Sequence, residues 1–208
     1  MGGLALYCGG AMFMTQAGRD RGKVLEPGLF ESWGGKPSVA MLRHSDSRLT
    51  NVTKERYRNF LVRAVPGLKL ASAEDERRDP RLAEEGYESA TSWLLTQTRD
   101  RARFALLFRE NINYGFRRNV WALKPWALAL DAVAITCLVF VVLDSWTGGV
   151  LTNIESIGVE WWASLVWTAM HGLFYVFKVK NDWVHLAAEA YARQLLAACD
   201  ALDRGRGD

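Results

Sequence analysis

Two stretches of this chain lose the mixing of polar and apolar positions altogether. Residues 125–143 form a 19-residue run whose only charge is Asp131, and residues 161–177 form a 17-residue run with no formal charge and one ionisable side chain, His171. Roughly 20 apolar residues, rising about 1.5 Å each, cross a hydrocarbon core about 30 Å thick. The second run reaches that length with Val159 and Glu160 at its boundary. The pattern predicts a transmembrane helical hairpin over 125–177 that turns through 144–158, a loop containing Gly148 and Gly149.

Elsewhere the apolar positions return at helical spacing. Tyr57, Phe60, Leu61 and Ala64 fall at i, i+3, i+4 and i+7, a face that stops at Pro66 and Gly67. Ser72 stands three residues before Asp75, a capping box for a short acidic turn. Asp79 and Pro80 place an acceptor at the N-cap and a proline at the first helical position. The helix they open carries Ala83, Tyr87, Ala90 and Leu94 on one stripe. Another starts near Asp100, carries Phe104, Leu107 and Phe108, and ends at Gly115. Residues 16–51 read as loop, punctuated by Pro27-Gly28, Gly34-Gly35 and Lys36-Pro37. After the hairpin, Asp182 caps a helix running to about Leu202, with Val184, Ala188, Tyr191, Leu195, Ala198 and Leu202 on one stripe. The stripe is a short a/d pattern, and packing on the protein's own domain is favoured over self-association.

The charges give the hairpin an orientation. Residues 16–124 hold 21 Lys and Arg against 14 Asp and Glu, whereas the 53 residues from 125 to 177 hold four acids and no Lys or Arg. Cytoplasmic flanks retain basic residues and translocated loops tend to lack them. Arg117, Arg118 and Lys124 precede the first run, and Lys178 and Lys180 follow the second. Buried helices of a soluble bundle would leave that asymmetry without a cause. Six of the nine tryptophans lie between Trp121 and Trp167, most of them near the ends of the two runs, as amphipathic rings do at headgroup level.

Residues 1–15 are apolar, glycine-rich and free of charge. They lack the basic n-region of a secretory signal, and cleavage after them would export the arginine-rich middle. They are expected to form a membrane segment, incomplete because about 14 residues fall short of a span. The fold expected is all-α: the segment at 1–15, a mainly helical cytoplasmic domain at 16–124, the hairpin at 125–177 and a cytoplasmic helix at 178–208. The chain would then be a multi-pass protein of the cytoplasmic (inner) membrane.

Candidate chemistry is sparse. Cys8, Cys137 and Cys199 lie more than sixty positions apart, with no Cys/His spacing that would hold a metal. No cofactor is expected. Trp33-Gly34-Gly35-Lys36-Pro37-Ser38 lacks the spacing of a phosphate-binding loop, and Pro37 stands where a helix would continue. Arg43, His44 and Asp46 form the densest polar cluster. In an extended segment His44 and Asp46 would point the same way, a general-base arrangement, although a surface loop of Asp–Arg pairs is favoured. Arg117, Arg118 and Lys124 form a juxtamembrane patch suited to lipid phosphate. Asp131 and His171 each lie six residues inside the cytoplasmic end of their helix, so an antiparallel hairpin sets both about 9 Å below the interface. Ionisable groups at that depth usually face a partner or a wet cavity, and the two are expected to pair.

The function expected is a membrane-anchored interaction or effector subunit, built like those of bacterial signalling or defence systems. Its partners are the lipid bilayer and a cytoplasmic protein or a second copy of itself. A pore or ion-conducting role and a membrane-bound enzyme using His44 and Asp46 are the alternatives, with catalysis the less favoured. Nucleic acid is disfavoured, because the charges alternate in sign along the helices and no recognised motif is present.

Overall fold

The computed structural model describes the backbone of residues 2–146 and 158–205, with the side chains of residue 10, of 12–144 and of 158–205. Residues 147–157 of the expected loop, and the side chains of 1–9 and 11 in the expected N-terminal segment, lie outside that description. The elements are α1 (Gly2–Ser32), α2 (Pro37–Ala40), α3 (Asn51–Ala64), α4 (Ala73–Arg78), α5 (Pro80–Gln97), α6 (Ala105–Trp146), α7 (Val159–Phe177) and α8 (Asn181–Arg204). All are helices, and no strand occurs among the described residues. The chain forms two compact units: Met1–Val24 with Arg117–Val184, and Leu25–Phe116 with His185–Asp208.

The second unit is built on the stripes that the periodicity marks out. α3 contributes Tyr57, Phe60, Leu61 and Ala64, and α5 contributes Ala83, Tyr87, Ala90 and Leu94. α8 adds Ala192, Leu195, Leu196 and Cys199, and Val39, Met41 and Leu42 come from the segment around α2. Each fully buried leucine is worth about 1.5–3 kcal/mol in apolar surface removed from water. Local signals start the helices where the sequence places them. Ser72 accepts from the Asp75 amide at 3.1 Å, and Asp79 from the Leu82 amide at 3.0 Å with Pro80 behind it. Thr50 caps α3 in the same way.

The structure corrects two expectations. Residues 16–51 are not loop throughout, because α1 continues to Ser32 and α2 occupies Pro37–Ala40. Two other glycines of α1, Gly18 and Gly22, serve packing within the first unit. A Cβ at Gly18 would stand 2.8 Å from Leu123 Cδ1, and one at Gly22 would stand 2.5 Å from Asn119 Oδ1. Small residues at such a contact let two helix backbones come close. α1 stops only where Gly34 takes φ 72° and Gly35 donates to Phe30 O at 2.8 Å, a left-handed helix cap. The second correction concerns Gly115, expected to end a helix. α6 passes through both Gly115 and Pro125 for 42 residues, about 63 Å of rise. Glycine in a helix interior costs about 1 kcal/mol relative to alanine, too little to break so long an element. Its regular turns begin at Ala105, after Asp100 has accepted from the Ala102 and Arg103 amides.

The stripe on α8 turns inward. Val184, Ala188, Leu195 and Ala198 are buried within the chain itself. Leu195→Ala should therefore lower the unfolding free energy by about 2–5 kcal/mol while the size of the detergent-solubilised species stays the same. Denaturant unfolding paired with size-exclusion chromatography checks this. A smaller species at unchanged stability would place the stripe at an interface between copies.

Candidate functional site

Within the first unit, residues from Pro125 onward in α6 meet little else of the protein. α6 is the one helix among the described residues long and apolar enough to cross a membrane, and only 6% of its most apolar window is buried. α7 has no buried residue at all. Its tryptophans, Glu160 and His171 hold its mean hydropathy below that of the most apolar 18-residue stretch of α6. Large side chains such as Leu130, Phe140, Trp167 and Met170 stand exposed on the two helices. Their hydroxyl groups turn back on their own backbones. Thr136, Ser164 and Thr168 each donate to the carbonyl four residues earlier, at 2.8, 2.7 and 2.8 Å. That bond satisfies a hydroxyl without any outside partner.

Two ionisable side chains on these helices, Asp131 and His171, are brought together. His171 Nδ1 lies 2.9 and 3.0 Å from the two carboxylate oxygens of Asp131. An ionised carboxylate accepts from Nδ1 when that nitrogen carries a proton, as in one neutral tautomer or in the imidazolium. The Asp131 side chain is 12% exposed and that of His171 is 43% exposed, so the acid is enclosed and the ring's far edge is open. Gly172 leaves room for the carboxylate, since a Cβ there would stand 3.4 Å from Asp131 Oδ2. The Tyr175 ring lies 4.9 Å from the imidazole on the next turn. Lys124 Nζ donates to Val179 O at 2.8 Å. Contacts of 131 with 171 and of 124 with 179 are the register of two antiparallel helices.

The basic patch is partly engaged by the protein. Arg117 donates to Trp183 O at 3.0 Å, with its guanidinium 5.1 Å over the Trp183 ring, and Arg118 donates to Asn119 Oδ1. Lys124 caps the carbonyl already named. A fourth cation, which the sequence reading passed over, belongs to the same level of the unit. Arg21 Nε donates to Ala122 O at 3.0 Å, and its guanidinium lies 5.9 Å from the Trp126 ring. Its place inside a stretch read as loop hid it.

The Arg43, His44 and Asp46 cluster, in the second unit, is drawn apart. Arg43 forks onto Glu84 at 2.6 and 2.8 Å and donates to Gly34 O at 2.7 Å. His44 Nε2 lies 3.1 Å from Ala71 O, while Asp46 accepts from Arg48 Nε and from the Arg48 amide, both at 2.8 Å. Arg48 in turn reaches Glu189 on α8 at 3.0 Å. Burial raises the Asp46 carboxyl, but the Arg48 bonds outweigh it and hold the group below its ordinary range. His44 and Asp46 are thus spent on different partners, an arrangement that supports the segment 43–49.

Beneath this cluster lies a buried polar knot that the sequence reading did not single out. Tyr87 donates to Glu76 at 2.6 Å, the His44 amide donates to the same carboxylate at 2.8 Å, and Arg58 donates to Tyr87 Oη and Leu42 O, both at 2.8 Å. Arg58 also donates to Ala71 O, and Lys54 donates to Asp46 O. The available signal was Lys54 and Arg58 at i, i+4, next to the apolar stripe of α3. Burial and the bond to Glu76 push the Tyr87 hydroxyl up to about 12. Burial also raises Glu76, but the Tyr87, His44 and Ser45 donors overcome it and hold the carboxyl below its ordinary 4.5.

Two outcomes follow from these pairs. Asp131→Asn and His171→Gln should each destabilise the protein in bilayers, and the double variant should lose about 1 kcal/mol less than the sum, because the two share one interaction. Additive losses in a steric-trap or unfolding assay would mean that the pair carries no coupling. A carboxyl lowered on folding contributes stability above its unfolded pKa and loses it as pH falls through the folded value. The advantage of the native chain over Glu76→Gln should therefore be full above pH 4.5 and shrink below it, as read from denaturant unfolding at pH 7, 5 and 3. A constant difference across that range would contradict the assignment.

No protein-family model, no curated protein and no solved structure matches this chain, so its functional reading rests on the geometry above.

Proposed function

We propose that the chain is a membrane-anchored interaction or effector subunit of the cytoplasmic membrane, with α6 and α7 crossing the bilayer as a hairpin and the second unit facing the cytoplasm. The observation that carries this reading is the exposure of an almost continuous apolar surface on 125–144 of α6 and on α7. In water such a surface would be a patch far beyond what soluble monomers expose, whereas lipid covers it without a protein partner. Internal bonding of the hydroxyl groups and the Asp131–His171 pair suit the same solvent, because polar groups in hydrocarbon must be satisfied from within. The absence of Lys and Arg from 125–177 supports the orientation.

The cytoplasmic unit offers docking features more than catalytic ones. His44 and Asp46 are committed to holding their own segment. A surface cleft of about 770 Å³ lies between residues 67–71, α4 and α5, with Lys69 and Arg78 on its rim beside Asp75, Asp79 and Glu85. A rim of both signs fits a protein segment better than a nucleic acid, whose backbone selects one sign. The occupant would be a cytoplasmic partner or another copy of the chain.

Fusions of an export-dependent reporter test the topology. A fusion at Gly67 should be inactive and one at Gly149 active, with the reverse pattern for a reporter that works only in the cytoplasm. Export activity at Gly67, or its absence at Gly149, would overturn the model.

A further inference from the structure

The first unit gathers its positive charge at one level. Segments 19–23, 117–124 and 178–182 together carry eight basic residues and two acidic ones. Three contacts hold these segments side by side. Arg21 donates to Ala122 O, Gly22 packs on Asn119, and Lys124 donates to Val179 O. Of the two acids, Asp20 already accepts from Gln16 at 3.1 Å. The level coincides with the end of the apolar stretch at Pro125, where Trp126 is 59% exposed.

We propose that Arg21, seated against Trp126, is the anchoring cation of a binding site for the headgroup phosphate of an anionic phospholipid. The site rests on the membrane reading above and adds a specific lipid to it. Arg21 is held by its Nε alone, on Ala122 O, and no carboxylate ion-pairs with it among the described residues. The two Nη groups are then presented as a fork, the geometry that matches two phosphate oxygens. Trp126 fixes the plane of the guanidinium from one side by cation–π contact and offers an apolar body to the glycerol and upper acyl region. Arg19, Lys23, Lys178 and Lys180 supply exposed positive charge around it, which selects an anionic headgroup over a zwitterionic one. Proline at 125 contributes to the placement. It lacks the N–H that would bond Trp121 O, so the helix gives that carbonyl, next to Ala122 where Arg21 docks, no i+4 donor.

The test uses the full chain purified in detergent and native mass spectrometry with phosphatidylglycerol or phosphatidylcholine of the same acyl length. The native protein should retain phosphatidylglycerol in preference, and Arg21→Gln should lower that retention about fivefold while phosphatidylcholine retention stays the same. Arg21→Lys should recover only part of it, because an ammonium neither forks nor stacks. Trp126→Leu leaves the bond to Ala122 in place and should reduce retention in the same direction, which covers the case in which Arg21→Gln disturbs the packing of α1 on α6. Arg101→Gln, in the second unit, should change nothing. Unchanged retention in both Arg21→Gln and Trp126→Leu, or an equal loss in Arg101→Gln, overturns the site. Thermal stabilisation by inorganic phosphate alone, equal to that by phosphatidylglycerol, would overturn the lipid assignment. Alkaline carbonate extraction of the native membranes separates the two readings. Release of the native chain into the supernatant contradicts the membrane span, whereas a chain that stays in the pellet yet ignores headgroup charge contradicts only the lipid site.

Discussion

A 19-residue helix with no buried residue cannot be held in place by burying its side chains against its own chain, and that constraint governs the first unit. The proposed membrane span supplies the apolar surface of α7, and of α6 beyond Pro125, with a solvent other than water. Several separate features of the sequence become consistent once that solvent is lipid. Lysine and arginine stop at the two ends of the apolar stretch, tryptophans gather there, and Thr136, Ser164 and Thr168 each bond their own backbone. α1 packs on α6 through Gly18 and Gly22, a way of joining helices that does not depend on excluding water.

The two units obey the same rule for polar groups and differ in what the rule is worth. In the second unit, Glu76, Tyr87 and Arg58 are desolvated by a protein core, and removing one member would leave another short of a partner at about 1–3 kcal/mol. This knot ties the segment 42–45 to α3, α4 and α5, so it stabilises by position as much as by energy. In the first unit, an unpaired charge at mid-membrane depth would cost up to about 2.5–3.5 kcal/mol, and less near the headgroups. In the proposed hairpin Asp131 and His171 satisfy each other with one contact, which ties α6 to α7.

Much of this was legible in the residue pattern. The stripes of α3, α5 and α8 and the caps at Ser72 and Asp79 follow from local rules, because apolar spacing and short polar side chains act within one helical turn. The contact between Asp131 and His171 followed from depth, since two antiparallel helices of known rise leave few places for either residue. What escaped were features that depend on a neighbour distant in sequence. The packing role of Gly18 and Gly22 is set by Leu123 and Asn119, and Gly115 looked like an end in a helix that the flanking turns carry through. For His44 and Asp46 a general-base pair rested on alternation in an extended segment, against the favoured surface loop of Asp–Arg pairs. The segment turns instead, and Ala71 and Arg48 take one side chain each. The Glu76 knot escaped for the converse reason, as its members are scattered over more than thirty positions.

The central claim is that the surface of α6 beyond Pro125 faces hydrocarbon, and Cys137, exposed on that helix, reports on it directly. With Cys8→Ser and Cys199→Ala leaving it as the single thiol, a nitroxide attached at Cys137 can be probed in reconstituted bilayers with oxygen, which concentrates in hydrocarbon, and with a water-soluble nickel chelate. The account predicts strong relaxation by oxygen and little by the chelate. Stronger relaxation by the chelate would place Cys137 in water and contradict the claim.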